Sequence, residues 1–182
     1  MTSLGNVRLG NQSFDFEEAN IYGIYEKDGI MTWHIELLPP GEDNYIMFNS
    51  LVFNNVFSPP QLSNIALIET SATSDLYEYT VSVEGEERFL KSVDMVFRKW
   101  ETTNQSIQLI GSGIIHAEDN LSELTYSFNA ILHFKQFYIL QTSEAETQKF
   151  VDTYLPDSKQ QVTIQFENVA SGRQAIIKGQ FQ

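Results

Sequence analysis

From Leu124 to Lys135 apolar and polar side chains alternate. Leu124, Tyr126, Phe128, Ala130, Leu132 and Phe134 hold the even positions, while Thr125, Ser127, Asn129, His133 and Lys135 share the odd ones with Ile131. Successive side chains of an extended backbone point to opposite sides, so this period predicts a strand with one face buried and one wet. Carried on to Gln136, the run is about twice the usual strand length of five or six residues. It is therefore expected to cross the whole domain, and the other elements can be arranged around it.

Shorter runs of the same period fill most of the chain. Leu4 to Leu9 and Gln12 to Phe16 flank Gly10-Asn11, a glycine-led pair suited to a tight hairpin turn. Ala19 to Lys27 and Ile30 to Leu37 flank Asp28-Gly29, a pair that tolerates left-handed backbone. A loop of Asp28-Gly29 alone sets Lys27 opposite Ile30, Trp33 opposite Ile24 and Ile35 opposite Tyr22. Thr32, His34 and Glu36 then share the other face. Past the break at Pro39-Pro40-Gly41, Tyr45 to Phe53 carries apolar residues at both phases, which reads as a central strand or one covered on both sides.

Ile65 to Ile68 is a short strand after Pro59-Pro60, and residues 70–75 form a polar loop. Tyr77, Tyr79, Val81 and Val83 alternate with polar residues, and Gly85-Glu86-Glu87 turns that strand into Phe89 to Trp100. There Phe89, Val93, Met95 and Phe97 are expected on one face. Ile107 to Ala117 follows, with Gly111 and Gly113 on its apolar side. A turn at Glu118 to Leu121 would set Gly113 against Tyr126 and Gly111 against Phe128, each glycine leaving room for a ring.

The one helix signal comes late. Ser143-Glu-Ala-Glu146 has the form of a capping box, Phe150, Val151, Tyr154 and Leu155 make an apolar stripe, and Pro156 ends it. Val162 to Phe166 and Ala175 to Phe181 close the chain as a hairpin around Ser171-Gly172.

About ten strands with one inserted helix make an all-β domain, an antiparallel barrel or a curved sandwich. The short helix is placed near 143–155 and the domain spans residues 1–182, with no repeat, linker or low-complexity run. A run of strands followed by a late helix and a last strand resembles the layout of calycin folds. That resemblance implies a carrier of a small apolar ligand, with Gly23, Gly111, Gly113 and Gly179 hollowing the interior. The Gly-X-Trp signature expected of such proteins is missing, since Met31-Thr32 precedes Trp33, and the chain is not assigned to that group.

Charge changes the picture in one direction. Eleven Lys and Arg against 24 Asp and Glu leave a net charge of −13. Binding to nucleic acid or to an anionic membrane needs the opposite sign, so neither is expected. A basic protein partner is allowed, since opposite net charge speeds encounter, although an acidic surface most often serves only solubility. The absence of cysteine removes disulfides and thiolate chemistry. No run nears the roughly 20 apolar residues of a membrane span. The start of the chain lacks a secretory pattern, so a cytoplasmic protein is expected.

Candidate chemistry is sparse. The strand register places His116 and His133 about 33 Å apart along the ladder, too far to share a metal or a proton. His34 and Glu36 lie on one strand face about 6–7 Å apart, a spacing open to a metal-ligand pair or a base with its orienting carboxylate, and equally to a wet strand face. No metal motif reinforces the pair, so neither a metal nor a cofactor is expected. Adjacent carboxylates such as Glu17-Glu18 and Glu86-Glu87 point opposite ways on a strand and read as solvated.

What remains is aromatic surplus: 13 Phe, 8 Tyr and 2 Trp. The loop Phe53-Asn-Asn-Val56-Phe57-Ser-Pro59-Pro60 places Val56 and Phe57 beside stiff prolines, either as a binding edge or as a plug over an open barrel end. The chain reads as a non-catalytic, acidic β domain that binds another protein, as a neutraliser of a basic toxin would. Its candidate binding residues are Val56, Phe57, Tyr45, Trp33, His34 and Glu36. The alternatives are the small-ligand carrier and a hydrolase-type enzyme centred on His34 and Glu36.

Overall fold

Seven strands in sequential order close into a barrel, and their odd number dictates how the ring seals. In the computed structural model these are β3 (Glu18–Tyr25), β4 (Met31–Leu38), β5 (Tyr45–Val52), β7 (Tyr79–Val83), β8 (Glu86–Glu101), β9 (Ser106–Ile115) and β10 (Leu124–Ile139). Each runs antiparallel to the next, so the first and last point the same way, and β3 meets β10 as a parallel pair. Outside the ring lie β1 (Gly5–Leu9), β2 (Gln12–Asp15), β6 (Ala66–Thr70), β11 (Val162–Val169) and β12 (Gly172–Gly179), with one helix, α1 (Glu144–Tyr154). The structure describes residues 4–41, 44–70, 79–83, 85–116 and 122–182. The sequence readings for residues 71–78 and for the turn at 117–121 lie outside them. Among the described residues no helix is long and apolar enough to cross a membrane.

The strand β10, at 16 residues, is long enough to hold four neighbours. Along one edge it pairs with β9 and then β12; along the other, with β1 and then β3. The expected alternation is present, with Tyr126, Phe128, Ala130, Leu132 and Phe134 all buried. A bulge between Phe134 and Phe137 then shifts the phase by one, so that Phe137 and Ile139 are the next buried residues. The regular pattern in the sequence stops where this bulge begins.

The register of β9 on β10 is the expected one, with Gly113 opposite Tyr126 and Gly111 opposite Phe128. The β3–β4 hairpin differs by one residue. Its loop is Lys27-Asp28-Gly29, closed by a bond from Glu26 N–H to Ile30 O (2.9 Å), with Gly29 left-handed at φ 88°. Trp33 therefore faces Gly23, and Ile35 faces Ile21. Packing explains the choice: Phe137 comes so close over Gly23 that a Cβ there would lie 2.4 Å from the ring. Tyr22 and Ile24 are turned outward as a result.

Bulges also correct two other expectations. The strand β5 is central, but it is not covered on both faces. Asn49 and Ser50 together face His34, and Ser50 is left-handed at φ 55°. The phase therefore flips, burying Ile46, Phe48 and Leu51 on one side while Val52 is 57% exposed. The strand β8 shifts register near Leu90 and again between Phe97 and Trp100. Leu90, Val93, Met95 and Phe97 point inward in consequence, and Phe89 does not join them. At the closing hairpin the turn is Ala170-Ser171, one residue earlier than expected, with Val169 paired to Gly172.

Rings fill the interior in two groups. Phe48 meets Tyr79 and Phe128 at one level (centroids 5.7 Å apart in both cases), while Trp33, Phe134, Phe137 and Phe181 meet at the other. Of the four glycines expected to hollow the barrel, three give their space to rings, Phe137 over Gly23, Phe128 over Gly111 and Tyr126 over Gly113, while Gly179 is exposed beside the Gln161 backbone. The helix covers one end, burying Phe150 and Val151. The chain's tail tucks in beside it: Phe181 N–H donates to Gln105 Oε1 (2.7 Å), and Trp100 Nε1 donates to Phe181 O (3.3 Å).

Candidate functional site

Because Tyr22 and Ile24 face outward, the outer surface of β3, β4 and β5 carries more bulk than a wet strand face usually does. The ladder builds it in rows. One row runs Ile176, Tyr138, Ile24, Thr32 and Val52; another runs His133, Asn20, Glu36, Met47 and Thr80. Tyr22 and His34 pair between them. Tyr45 stands beyond Met47 on the same side of β5, opposite Ser82. Tyr22, His34, Glu36, Tyr45, Met47 and Tyr138 are all half-buried by their neighbours.

Neutral donors hold the carboxylates on this face. The Tyr22 hydroxyl donates to Glu36 (3.0 Å), and the Asn20 amide donates to Glu18 (3.0 Å). Burial first, and then the Glu36 bond and charge, push the Tyr22 hydroxyl well above its ordinary range. The Tyr45 hydroxyl donates to Glu87, and that bond is the chief reason its own pKa is raised. The ion pairs among the described residues join Arg88 to Glu86, Lys91 to Glu123 and Arg173 to Glu144, so Glu18 and Glu36 take part in none.

His34 and Glu36 point outward side by side, yet each is engaged elsewhere. His34 Nδ1 lies 3.3 Å from Asn49 Oδ1 and must donate to it, because an amide oxygen only accepts. Its Nε2 lies 3.3 Å from Thr32 Oγ1. Glu36 is bound by Tyr22 rather than by His34. Among the described residues no group of three His, Asp or Glu side chains is placed to hold a metal ion.

The other candidate residues are elsewhere. Trp33 is fully buried in the barrel, and its Nε1 donates to Val56 O (3.3 Å). Val56 is 4% exposed, and Phe57 stacks on Tyr154 of α1 with centroids 4.2 Å apart. Gln61 Oε1 holds the Phe57 and Ser58 N–H groups (2.7 and 3.0 Å). The loop is thus packed down as a plug, which removes Trp33 and Val56 from any outer binding surface. Of the six candidates, the structure gathers only Tyr45, His34 and Glu36 on one face.

Tyr22, Met47, Asn49 and Tyr138 complete that face and were not singled out in the sequence. The two-residue loop expected at Asp28-Gly29 turns Tyr22 inward, and Tyr138 lies past the bulge that ends the visible alternation. No protein-family model matches the chain, and neither a curated protein nor a solved structure is significantly similar to it.

Proposed function

We propose that the protein binds another polypeptide, a basic one, across the outer face of β3, β4 and β5, and that it does so without catalysing a reaction. The observation that carries this reading is a pair of carboxylates, Glu18 and Glu36, set among Tyr22, Ile24, Tyr45, Met47 and Tyr138 and held by neutral donors alone. Tyrosine and methionine with few charges are the composition of a protein interface rather than of ordinary surface. A lysine or arginine from a partner would meet a carboxylate already positioned by Tyr22. The chain's net charge of −13 would speed the approach of such a partner.

The test is affinity capture from the source cells by the wild-type chain and by a Glu18→Lys/Glu36→Lys variant, with bound proteins identified by mass spectrometry. Circular dichroism and the thermal midpoint establish that the variant is folded. The reading predicts a basic protein held by the wild type, lost by the variant, and associating more slowly as salt is raised. Identical captures by both chains would dispose of it.

A further inference from the structure

We propose that the protein pairs with a second copy of itself along the free edge of β11, forming a two-fold dimer in which the sheet of one copy runs on into that of the other. Among the described residues β2, β6 and β11 each pair on one side alone. The first two are short, at four and five residues, and a short edge offers little to an incoming strand. The strand β11 differs. Its eight residues pair with β12 along their whole length without a bulge, and they include no proline and one charged side chain, Glu167. Proline, bulges and charges are the usual means of shielding a long edge, and this edge has almost none of them.

The backbone is set for the pairing. Gln180 N–H donates to Gln161 O (3.3 Å), which fixes the phase of the hairpin ladder. Thr163, Gln165, Glu167 and Val169 therefore turn their N–H and C=O groups towards β12. Val162, Ile164, Phe166 and Asn168 turn theirs to the open side, where nothing among the described residues is bonded to them.

The side chains make this edge complementary to itself. With the two-fold axis at Gln165, Ile164 lies opposite Phe166 of the second copy, Val162 opposite its Asn168, and the two Gln165 residues face each other. Val162, Ile164 and Phe166 are half-buried on the inner side of the hairpin, so each copy covers apolar surface that the other leaves partly open. On the outer side Thr163 meets Glu167 of the second copy, and no like charges stand opposite one another. Lys178 pairs with Thr163 across β12. It thus lies two strand spacings, about 10 Å, from that glutamate. Two long side chains can close this gap over a threonine, and the symmetry supplies the pair twice. Each copy has one such edge, so assembly closes at two.

The charge of −13 on each copy opposes their approach, and salt screens it. Self-association should therefore strengthen with salt, the reverse of what is expected for a basic partner. Glu18 and Glu36 lie on other strands, so either reading can fail without the other.

Sedimentation velocity of the full chain reads the outcome. A reversible monomer–dimer equilibrium is expected, with more dimer as salt rises from about 0.01 to about 0.15 M. Asn168→Pro removes an outward N–H from each copy and sets a ring against the incoming strand, so this variant should stay monomeric. Gln165→Glu and Gln165→Lys each bring like charges face to face and should each weaken the dimer about fivefold, the upper range for such a pair. An equal mixture of the two should regain at least the wild-type affinity. Gln165 and Asn168 are exposed, and circular dichroism checks that the variants are folded. A wild type that remains monomeric up to millimolar concentration, a dimer indifferent to Asn168→Pro, or no recovery on mixing the Gln165 variants would each overturn the proposal.

Discussion

Gly111 and Phe128 face each other across the β9–β10 ladder, and a Cβ on Gly111 would lie 2.4 Å from the end of the Phe128 ring. That ring also touches Phe48, so it has little room to retreat. Gly111→Ala should therefore cost about 1–3 kcal/mol, the range for overpacking a filled core. Gly113→Ala should cost more, because its Cβ would meet the Ser92 backbone oxygen at 2.0 Å and the strands themselves would have to part. Urea unfolding followed by circular dichroism checks both; equal midpoints for the two variants would contradict this ranking.

The same pairing shows what was legible beforehand. Gly111, Gly113, Tyr126 and Phe128 could be matched because one regular strand met another through a turn of inferable length. The outer face could not be assembled in that way. Its members depend on a single extra residue in the β3–β4 loop, on the Asn49-Ser50 bulge and on the Phe134–Phe137 bulge. Each insertion reverses which side chains look outward, and local sequence carries little sign of it, since Ser50 occupies a left-handed backbone position without being glycine. The plug was legible only as one of two options for the loop, because the choice is made by Trp33 and Tyr154, far away in sequence.

Trp33 anchors that plug through its bond to the Val56 carbonyl. Trp33→Phe keeps an aromatic core but leaves a buried carbonyl without its donor, and should cost about 1–3 kcal/mol. The loss should be local as well as global. Hydrogen exchange at the Phe57 and Ser58 amides, bonded to Gln61, should accelerate by more than exchange at β9 and β10. Uniform acceleration across the chain would mean that the indole N–H does not hold the loop.

At the helix start, Ser143 accepts from Glu146 N–H (3.3 Å) while the Glu146 carboxylate returns to Ser143. Ser143→Ala should cost about 1 kcal/mol, as loss of an N-cap generally does. Glu146 adds a pH signature. Its bonds to Ser143 hold the carboxyl below the ordinary value of 4.5, so the native state favours the ionised form. The resulting stability is present above that value and fades as pH falls through the lowered one. In Ser143→Ala this acid-side contribution should shrink, seen as a flatter thermal midpoint against pH below 4.5.

At the alkaline end Tyr126 dominates. It is buried, and its hydroxyl donates to Ser92 O (3.1 Å). Burial first, then the negative charge of Asp94, push its pKa far above the ordinary 10.0. Tyr22, Tyr25 and Tyr45 are raised as well, Tyr25 by burial and then its bond to Tyr154. A raised native pKa means that the folded state keeps the proton while the unfolded chain releases it. The stabilisation is complete below 10.0 and is lost as pH climbs through the native values. The tyrosinate absorbance of the raised hydroxyls should accordingly appear together with loss of the β-sheet signal. Tyr126→Phe, which cannot ionise, should lower stability at neutral pH by forfeiting the Ser92 bond yet lose less of it on going to high pH. A variant whose alkaline unfolding runs parallel to that of the wild type would show that Tyr126 is not the group whose ionisation opens the barrel.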